Sequence, residues 1–239
     1  MQRFHSALLL AFAVAPLSAQ DPAPRRVEFT GDIGFVNTAG NTETTTFNVG
    51  EKLTYRLTSF TVQQFFAVVH GSTDGQTTNG LWRTGLRGDY TLTPRLLLYG
   101  SVGFDRNRFA GIQRRFEEGL GAGVKVLTGE RDKLEFEAGV AFTQQRSTLD
   151  VEDKFTSARA AGTFKHGFTE SAYFQQLVEV LPNLEETDDL RINTETALVA
   201  PLSKRLAVKV SYVIRYDKLP APGFKTTDRL LTSGVQISL

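Results

Sequence analysis

Apolar and polar side chains alternate with a period of two along most of this chain. In residues 206–216 every even position is aliphatic or aromatic, whereas the odd positions include Lys209 and Arg215. Residues 96–104 and 134–142 show a similar alternation. A two-residue period is that of a β-strand, because a helix would need apolar spacings of three and four. The pattern predicts about twelve strands, which begin near Val27, Glu43, Phe60, Thr78, Arg95, Arg114, Lys133, Lys154, Ser171, Asp188, Arg205 and Thr226.

The connections between these segments alternate in character. One set is short and comprises residues 57–59, 92–94, 129–132, 167–169 and 202–204. The other set is mostly longer and more polar, and comprises residues 38–42, 71–77, 106–113, 146–153, 182–187 and 218–225. Long strands with short turns at one end and longer loops at the other are typical of outer-membrane barrels. We therefore predict an all-β fold over residues 27–239, an antiparallel transmembrane β-barrel with short periplasmic turns and longer extracellular loops.

The first residues have the features of an export signal. Arg3 is followed by an apolar run of about 11 residues, which is too short to span a membrane as a helix, and Ser18 and Ala19 are small. We predict a cleaved signal peptide at residues 1–19, then a short periplasmic lead at residues 20–26. The predicted location of the mature protein is the cell outer membrane.

Aromatic residues gather near the ends of the predicted strands, where membrane barrels carry interfacial girdles. The loop-end belt is predicted to contain Phe35, Phe47, Trp82, Phe104, Phe116, Phe142, Phe155 and Tyr216. The turn-end belt is predicted to contain Phe29, Tyr55, Phe60, Tyr90 and Phe174.

The opposite strand face carries charges of both signs. Such a face suits a polar lumen and not a dry core, where unpaired charges are too costly. The predicted lumen-facing residues are Asp32, Lys52, Arg56, Arg83, Arg87, Asp89, Glu117, Lys125, Glu135, Glu137, Arg159, Lys165, Glu179, Arg191, Glu195, Lys209 and Arg215. Glu51 and Glu118 fall on the lipid side instead, and only a bulge or a register error would account for Glu51.

Composition excludes several classes of protein. Lys and Arg number 27 against 26 Asp and Glu, which argues against a strongly basic nucleic-acid binder. The chain has no Cys and three His, so disulfide scaffolds and thiol nucleophiles are excluded and His-rich metal sites are disfavoured. We expect no cofactor, no metal site and no nucleic-acid partner.

A family resemblance rests on three stretches of sequence. They are the hairpin at residues 31–43 with Gly40-Asn41-Thr42 at its tip, the Thr-rich strand that ends at residues 51–55, and the glycine-rich run at residues 119–123. The chain resembles the salt-induced outer-membrane protein family, a domain-of-unknown-function family of Gram-negative outer-membrane β-barrels. The resemblance implies an outer-membrane barrel and no catalytic residues. Such barrels usually end in an aromatic residue, whereas this chain ends in Leu239.

Candidate chemistry is sparse. His70 and Ser72 share a strand face in the predicted register, but no third orienting group is identifiable, so we expect no enzyme. Glu135 and Glu137 fit salt bridges better than acid–base work, since Arg and Lys share their face. Gly119, Gly121 and Gly123 are expected to leave room on the inner face or to permit bending.

The predicted function is a structural or a permeation role for small solutes and ions, with a possible link to salt or envelope stress. Expected partners are outer-membrane lipid and lipopolysaccharide, the barrel-assembly machinery during biogenesis, and small ions or solutes. Two alternatives stay open: an outer-membrane lipid hydrolase that uses His70, and a soluble periplasmic β-sandwich binding protein.

Overall fold

The computed structural model describes residues 26–39, 44–73, 76–169 and 171–238. The predicted signal peptide, the lead up to residue 25, the hairpin tip at residues 40–43 and Leu239 lie outside the described residues. No helix among the described residues has the length and apolarity needed to cross a membrane.

Twelve β-strands make up the described fold, joined at one point by a 3₁₀ turn at Arg108–Ala110. Each strand begins within two residues of its predicted start, so the period-two pattern located every strand. The strands are β1 (Val27–Ala39), β2 (Thr44–Arg56), β3 (Phe60–Thr73), β4 (Gln76–Thr91), β5 (Leu96–Asn107), β6 (Ile112–Thr128), β7 (Asp132–Ser147), β8 (Glu152–Gly167), β9 (Tyr173–Pro182), β10 (Leu190–Pro201), β11 (Leu206–Asp217) and β12 (Thr227–Ser238).

The strands form one closed sheet in which each pairs with its neighbours in sequence and β12 returns to pair with β1. Every one of these pairings is antiparallel, and Ile33 of β1 lies opposite Val235 of β12. The predicted barrel is confirmed. The β-sandwich alternative is wrong, because a sandwich has two sheets with free edges whereas this sheet closes on itself.

The outer surface of the barrel is apolar. Leu120 is 66% exposed and Val210 is 40% exposed, although both lie in the middle of strands. Polar residues alternate with them on the inner face, as Lys209 does beside Val210. The molecule therefore has the inverted distribution of a barrel whose surroundings are apolar and whose interior is polar.

One member of the predicted aromatic belts is misplaced. Phe155 is only 4% exposed and points inward, where the Arg191 guanidinium carbon lies 5.1 Å from the centre of its ring. The reason is parity, since Phe155 shares a strand face with the inward Ser157 and Arg159. The position of Phe155 near a strand end predicts a girdle residue, but the alternation along the strand determines that its ring points inward.

Several loop-end connections are shorter than expected because strands continue into them, whereas the β9–β10 and β11–β12 connections are not. β3 reaches Thr73 and β4 starts at Gln76, so most of the loop predicted at residues 71–77 is hairpin. The long described connections are residues 183–189 and 218–226.

The connection at residues 218–226 extends across the loop-end mouth of the barrel. A methyl group built on Gly111, which has a φ of +72°, would lie 2.6 Å from the Phe224 ring. Gly111 belongs to the β5–β6 connection, and β5 lies opposite β11 in the ring of strands. The contact therefore joins opposite walls, and residues 218–226 partly cover the mouth.

Glu51 faces outward without any irregularity in the strand. The register between β2 and β3 is continuous around it, so the expected bulge or register error is wrong. Its carboxylate accepts a hydrogen bond of 2.6 Å from the Gln64 side-chain amide on the neighbouring strand. The outer surface thus carries a polar pair that satisfies part of its own hydrogen-bonding need.

Closure of the sheet predicts a specific crosslink. Ile33→Cys combined with Val235→Cys should form a disulfide in folded protein on mild oxidation, because directly opposed residues have Cβ atoms about 4.5 to 5.5 Å apart. The wild type has no Cys, so gel mobility under non-reducing conditions reads the bond directly. The control pair, Ile33→Cys with Leu231→Cys, is offset along the strand and should stay reduced. Equal crosslinking of both pairs, or of neither, would contradict the register.

Candidate functional site

The lumen gathers the charged residues that the alternation assigned to the inner face. Its contents divide into four groups by height and wall. The mid-height band contains Arg87, Asp89, Glu137, Arg159 and Glu179. Toward the short turns, the turn-end region contains Lys52, Arg56, Lys125, Glu135 and Lys165, and toward the loops, the loop-end region contains Arg83, Glu117, Arg191 and Arg215. The seam group, near the pairing of β1 with β12, contains Asp32, Glu195 and Lys209.

The mid-height band is a continuous chain of ion pairs that joins separate walls of the barrel. Arg87 of β4 binds Asp89 on its own strand at 2.7 Å and reaches Glu137 of β7 with two hydrogen bonds of 2.6 and 3.1 Å. Arg159 of β8 then bridges Glu137 at 2.6 Å and Glu179 of β9 at 2.7 Å. Bidentate and shared contacts of this kind fix both position and orientation of the guanidinium groups.

Tyr99 of β5 lies between the two arginines of the band. The guanidinium carbon of Arg87 is 4.4 Å from the centre of its ring, and Arg159 donates a hydrogen bond of 2.8 Å to its hydroxyl. Methyl groups built on Gly121 and Gly139 would lie 2.6 and 2.7 Å from that hydroxyl oxygen. The glycines therefore leave the room that Tyr99 needs, as expected for Gly121 from the sequence.

A second cluster surrounds Arg191 near the loop end. Arg191 is 6% exposed and contacts the Glu117 carboxylate at 3.2 Å and the Thr143 hydroxyl oxygen at 3.2 Å. Its Nε has no hydrogen-bond partner among the described residues. The buried Arg191 guanidinium therefore has one carboxylate partner, Glu117, and two nearby hydroxyls, those of Thr143 and Ser157, which hold it against the wall of the barrel.

A third cluster lies beside the seam. Lys209 of β11 is 3.4 Å from an Asp32 carboxylate oxygen on β1 and 4.0 Å from Glu195 on β10. Ser211 donates to the same Glu195 oxygen at 3.0 Å. This group therefore links β10 and β11 to β1 across the intervening β12, and so spans the strand pairing that closes the barrel.

Ion pairs also hold the connections at the loop-end mouth. Lys218 of the 218–226 connection binds Asp188 of the 183–189 connection at 3.0 Å, and this hydrogen bond raises the pKa of Lys218. The contact is exposed to solvent, so its stabilising effect is small and falls with added salt.

Two cavities lie on either side of the mid-height band. The turn-end cavity has a volume of about 350 Å³ and is lined by Arg87 and Glu137 of the band, together with Lys52 and Lys125. The loop-end cavity has a volume of about 300 Å³ and is lined by Arg191 and by carboxylates of the connections. The band thus separates two water-accessible vestibules.

His70 lies at the outer surface and not in a cleft. It follows Phe66 and Val68 on the outward face of β3, and the pairing register shifts between Gly71 and Ser72. The two-residue spacing expected to bring His70 and Ser72 together is therefore interrupted, and the Ser72 side chain is outside the described set. No three His, Cys, Asp or Glu side chains among the described residues gather as a metal site would require.

Sequence reasoning missed Tyr99 and the buried hydroxyls of Thr143 and Ser157. Both hydroxyl side chains have 0% exposure, and each oxygen lies within 3.5 Å of Arg191. The alternation of side chains along each strand is enough to place all three inside the barrel. Each of them either shares a strand face with a predicted lumen charge or lies opposite such a charge on the neighbouring strand.

Comparisons with known proteins agree on the architecture. A family model described as "Protein of unknown function, DUF481" matches residues 31–238. The uncharacterized protein YdiY of Escherichia coli K12 is 23% identical over 224 residues, which is 92% of this chain and 86% of that protein.

Solved structures with a similar fold include porins and an outer-membrane channel. The NanC porin has a TM-score of 0.61 at 8% identity and covers 87% of this chain and 100% of its own. An outer-membrane channel from Pseudomonas putida F1 has a TM-score of 0.55 at 11% identity and covers 92% of this chain and 100% of its own. The KdgM porin, solved in complex with an oligogalacturonate, has a TM-score of 0.52 at 9% identity and covers 88% of this chain and 99% of its own. At these identities the likeness concerns the fold.

The band predicts that Glu137→Gln destabilises the barrel. The substitution keeps the shape but leaves Arg87 and Arg159 without their shared carboxylate, which costs about 1–3 kcal/mol. The measurement is urea unfolding in detergent, followed by tryptophan fluorescence. The matched control is Glu130→Gln in the exposed 129–131 turn, which should leave the midpoint unchanged. A midpoint for Glu137→Gln equal to that of the control would mean that the band contributes nothing to stability.

Proposed function

The chain belongs to the DUF481 family of proteins of unknown function, and from this premise we propose that it is an outer-membrane β-barrel that gives ions and small solutes a narrow path across the membrane. The observation that carries the proposal is the lumen, in which two polar cavities are separated by one band of ion pairs inside a closed, outwardly apolar barrel. Similar folds in the NanC and KdgM porins support permeation as the class of activity.

The membrane location is supported by the outer surface. Exposed Leu, Val and Phe side chains on every described strand except β8 would be unstable in water as one surface. A hydrocarbon environment accommodates them, and closure leaves no unpaired backbone edge there. An outer-membrane barrel with an export signal also requires lipid and lipopolysaccharide around it and the assembly machinery during biogenesis.

The band is proposed to limit permeation at mid-height. A twelve-stranded barrel is narrower than the 16-stranded porins that keep a wide aqueous channel. Arg87 and Arg159 extend from β4 and β8 toward carboxylates on other walls, so their side chains occupy the section where the bore would be open. Passage is therefore confined to what can move between paired charges.

Two other roles find less support. A lipid hydrolase would need an oriented His, and His70 lies on a strand interrupted by a register shift. A purely structural barrel would show no conductance in the experiment below. A link to salt or envelope stress rests on the family resemblance alone and stays a prediction.

Topology gives a direct test of the membrane proposal. Thr187→Cys in the 183–189 connection should react with a membrane-impermeant maleimide in intact cells, because the longer connections face outward in outer-membrane barrels. Thr93→Cys in the short β4–β5 turn should react only after the outer membrane is permeabilised. Both positions are exposed, so accessibility in the folded protein is matched. If only the Thr93→Cys variant is labelled in intact cells, the proposed orientation of the barrel in the membrane is the wrong way round. Equal labelling of both variants would argue against a membrane-spanning barrel.

Conductance tests the role of the band. In planar bilayers, Arg159→Ala should raise single-channel conductance at least about twofold over wild type, because one of the two arginine side chains that cross the bore is shortened. Arg95→Ala, in the exposed turn between β4 and β5, removes the same charge outside the lumen and should conduct like wild type.

Heat-modifiable migration on a detergent gel shows that each variant is folded before conductance is compared. Folded Arg159→Ala with wild-type conductance would refute the assignment of the band as the constriction. The absence of conductance in both wild type and Arg159→Ala would refute permeation and leave the structural role.

A further inference from the structure

The turn-end vestibule holds more positive charge than its carboxylates neutralise. Two adjoining cavities form it, one of about 350 Å³ and one of about 500 Å³, which share Lys125 and Glu135 as lining residues. The six cations that line them are Lys52, Arg56, Arg87, Lys125, Lys133 and Lys165, and the lining carboxylates are Asp89, Glu135 and Glu137.

Most of those carboxylates are already committed to arginine. Asp89 and Glu137 bind Arg87 at 2.7 and 2.6 Å, and Arg56 is paired with Glu28 at 2.7 Å. This leaves Glu135 as the one lining carboxylate without a salt bridge to a described residue. Glu135 faces four lysines, Lys52, Lys125, Lys133 and Lys165. We call the part of the lumen that these lysines line the lysine vestibule.

None of the four lysines has a carboxylate oxygen within 4.0 Å among the described residues. Lys125 lies directly opposite Glu135 in the strand register, yet the two do not form a salt bridge. Lys165 instead places its ammonium nitrogen 3.7 Å from the centre of the Tyr173 ring, a contact that leaves its hydrogen-bond donors available.

Two of the lysines directly oppose each other. Lys133 of β7 and Lys165 of β8 are register partners, and both line the larger cavity. Like charges directly opposite on neighbouring strands destabilise a sheet. An anion between them would remove that repulsion and would accept hydrogen bonds from ammonium groups that form no salt bridge with a described residue.

We propose that the lysine vestibule is a binding site for a small organic anion that carries a carboxylate or a phosphate. This deepens the proposed permeation role and rests on it for its biological meaning, because it names the class of solute that the lumen would favour. Ammonium groups are compact charges with rotatable donors, so they accept the planar carboxylate and the tetrahedral phosphate alike. Cavities of a few hundred Å³ accommodate a solute of this size, and Thr163 and Gln175 supply neutral polar contacts beside the lysines.

Calorimetric titration of the folded mature protein in neutral detergent tests the site without requiring transport. The probes are galacturonate, inorganic phosphate and galactose, which is a neutral sugar of similar shape to galacturonate. Wild type should bind at least one anion and not galactose, and the affinity should fall as ionic strength rises because the attraction is screened. The stronger of the two anions identifies whether a sugar acid or a phosphorylated solute is the better fit.

The variant that tests the assignment is Lys133→Gln combined with Lys165→Gln. Removing both ammonium groups should weaken anion binding roughly 100-fold, at about tenfold for each charged contact. The matched control is Lys204→Gln with Arg205→Gln, which removes two charges from an exposed turn outside the vestibule and should bind like wild type. Because the substitution relieves repulsion, the vestibule variant should fold, and heat-modifiable migration checks this.

Three outcomes would overturn the site: no binding of either anion to wild type, galactose binding as tightly as galacturonate, or equal affinity in the vestibule variant and the control. Failure of the permeation role gives a different result. In that case anion binding persists in the titration while the bilayer shows no conductance.

Discussion

Alternation of side chains along a strand, between two opposite environments, is the constraint on which the rest of this structure depends. Each strand places one residue toward an apolar exterior and the next toward a charged interior. Val210 and Lys209 show that the strand register cannot shift. A shift of one residue would place Val210 in the charged interior and Lys209 on the apolar exterior. The register of all twelve strands is therefore set by burial, and the identity of the lumen follows from it.

The interior is held by paired charges where a water-soluble protein would have an apolar core. The Glu137 side chain is 11% exposed and is shared by Arg87 and Arg159, so removal of any one member leaves an uncompensated charge. An apolar filling could give equal stability, but it would exclude water from the bore. A band of ion pairs instead keeps this section polar between the two cavities, while its side chains narrow it.

The sequence predicted which way side chains point much better than what they contact. Lys209 and Arg159 could be assigned inward by parity, but Arg159 also joins Tyr99, which is 60 residues distant in the chain. Such contacts depend on curvature of the closed sheet, which brings together walls that alternation treats separately. Phe155 shows the opposite case: its position near a strand end predicts an outward ring, whereas the alternation with Ser157 and Arg159 places the ring inside. Whether the vestibule lysines form salt bridges also could not be predicted from the sequence. Lys125 lies opposite the acidic Glu135 on the neighbouring strand and still forms no salt bridge with it.

The pairing of β1 with β12 has a consequence for how the chain reaches its native state. Ile33 and Val235 are partners although roughly 200 residues separate them, so this ladder brings together the first and last strands of the barrel. The other neighbours are sequential hairpins that form locally and quickly. The slow step is then expected to be the meeting of β1 and β12, and until these two strands pair every partial sheet carries two open edges. A sheet that lacks its last strand is thus an aggregation hazard, because only pairing of β12 with β1 removes both edges.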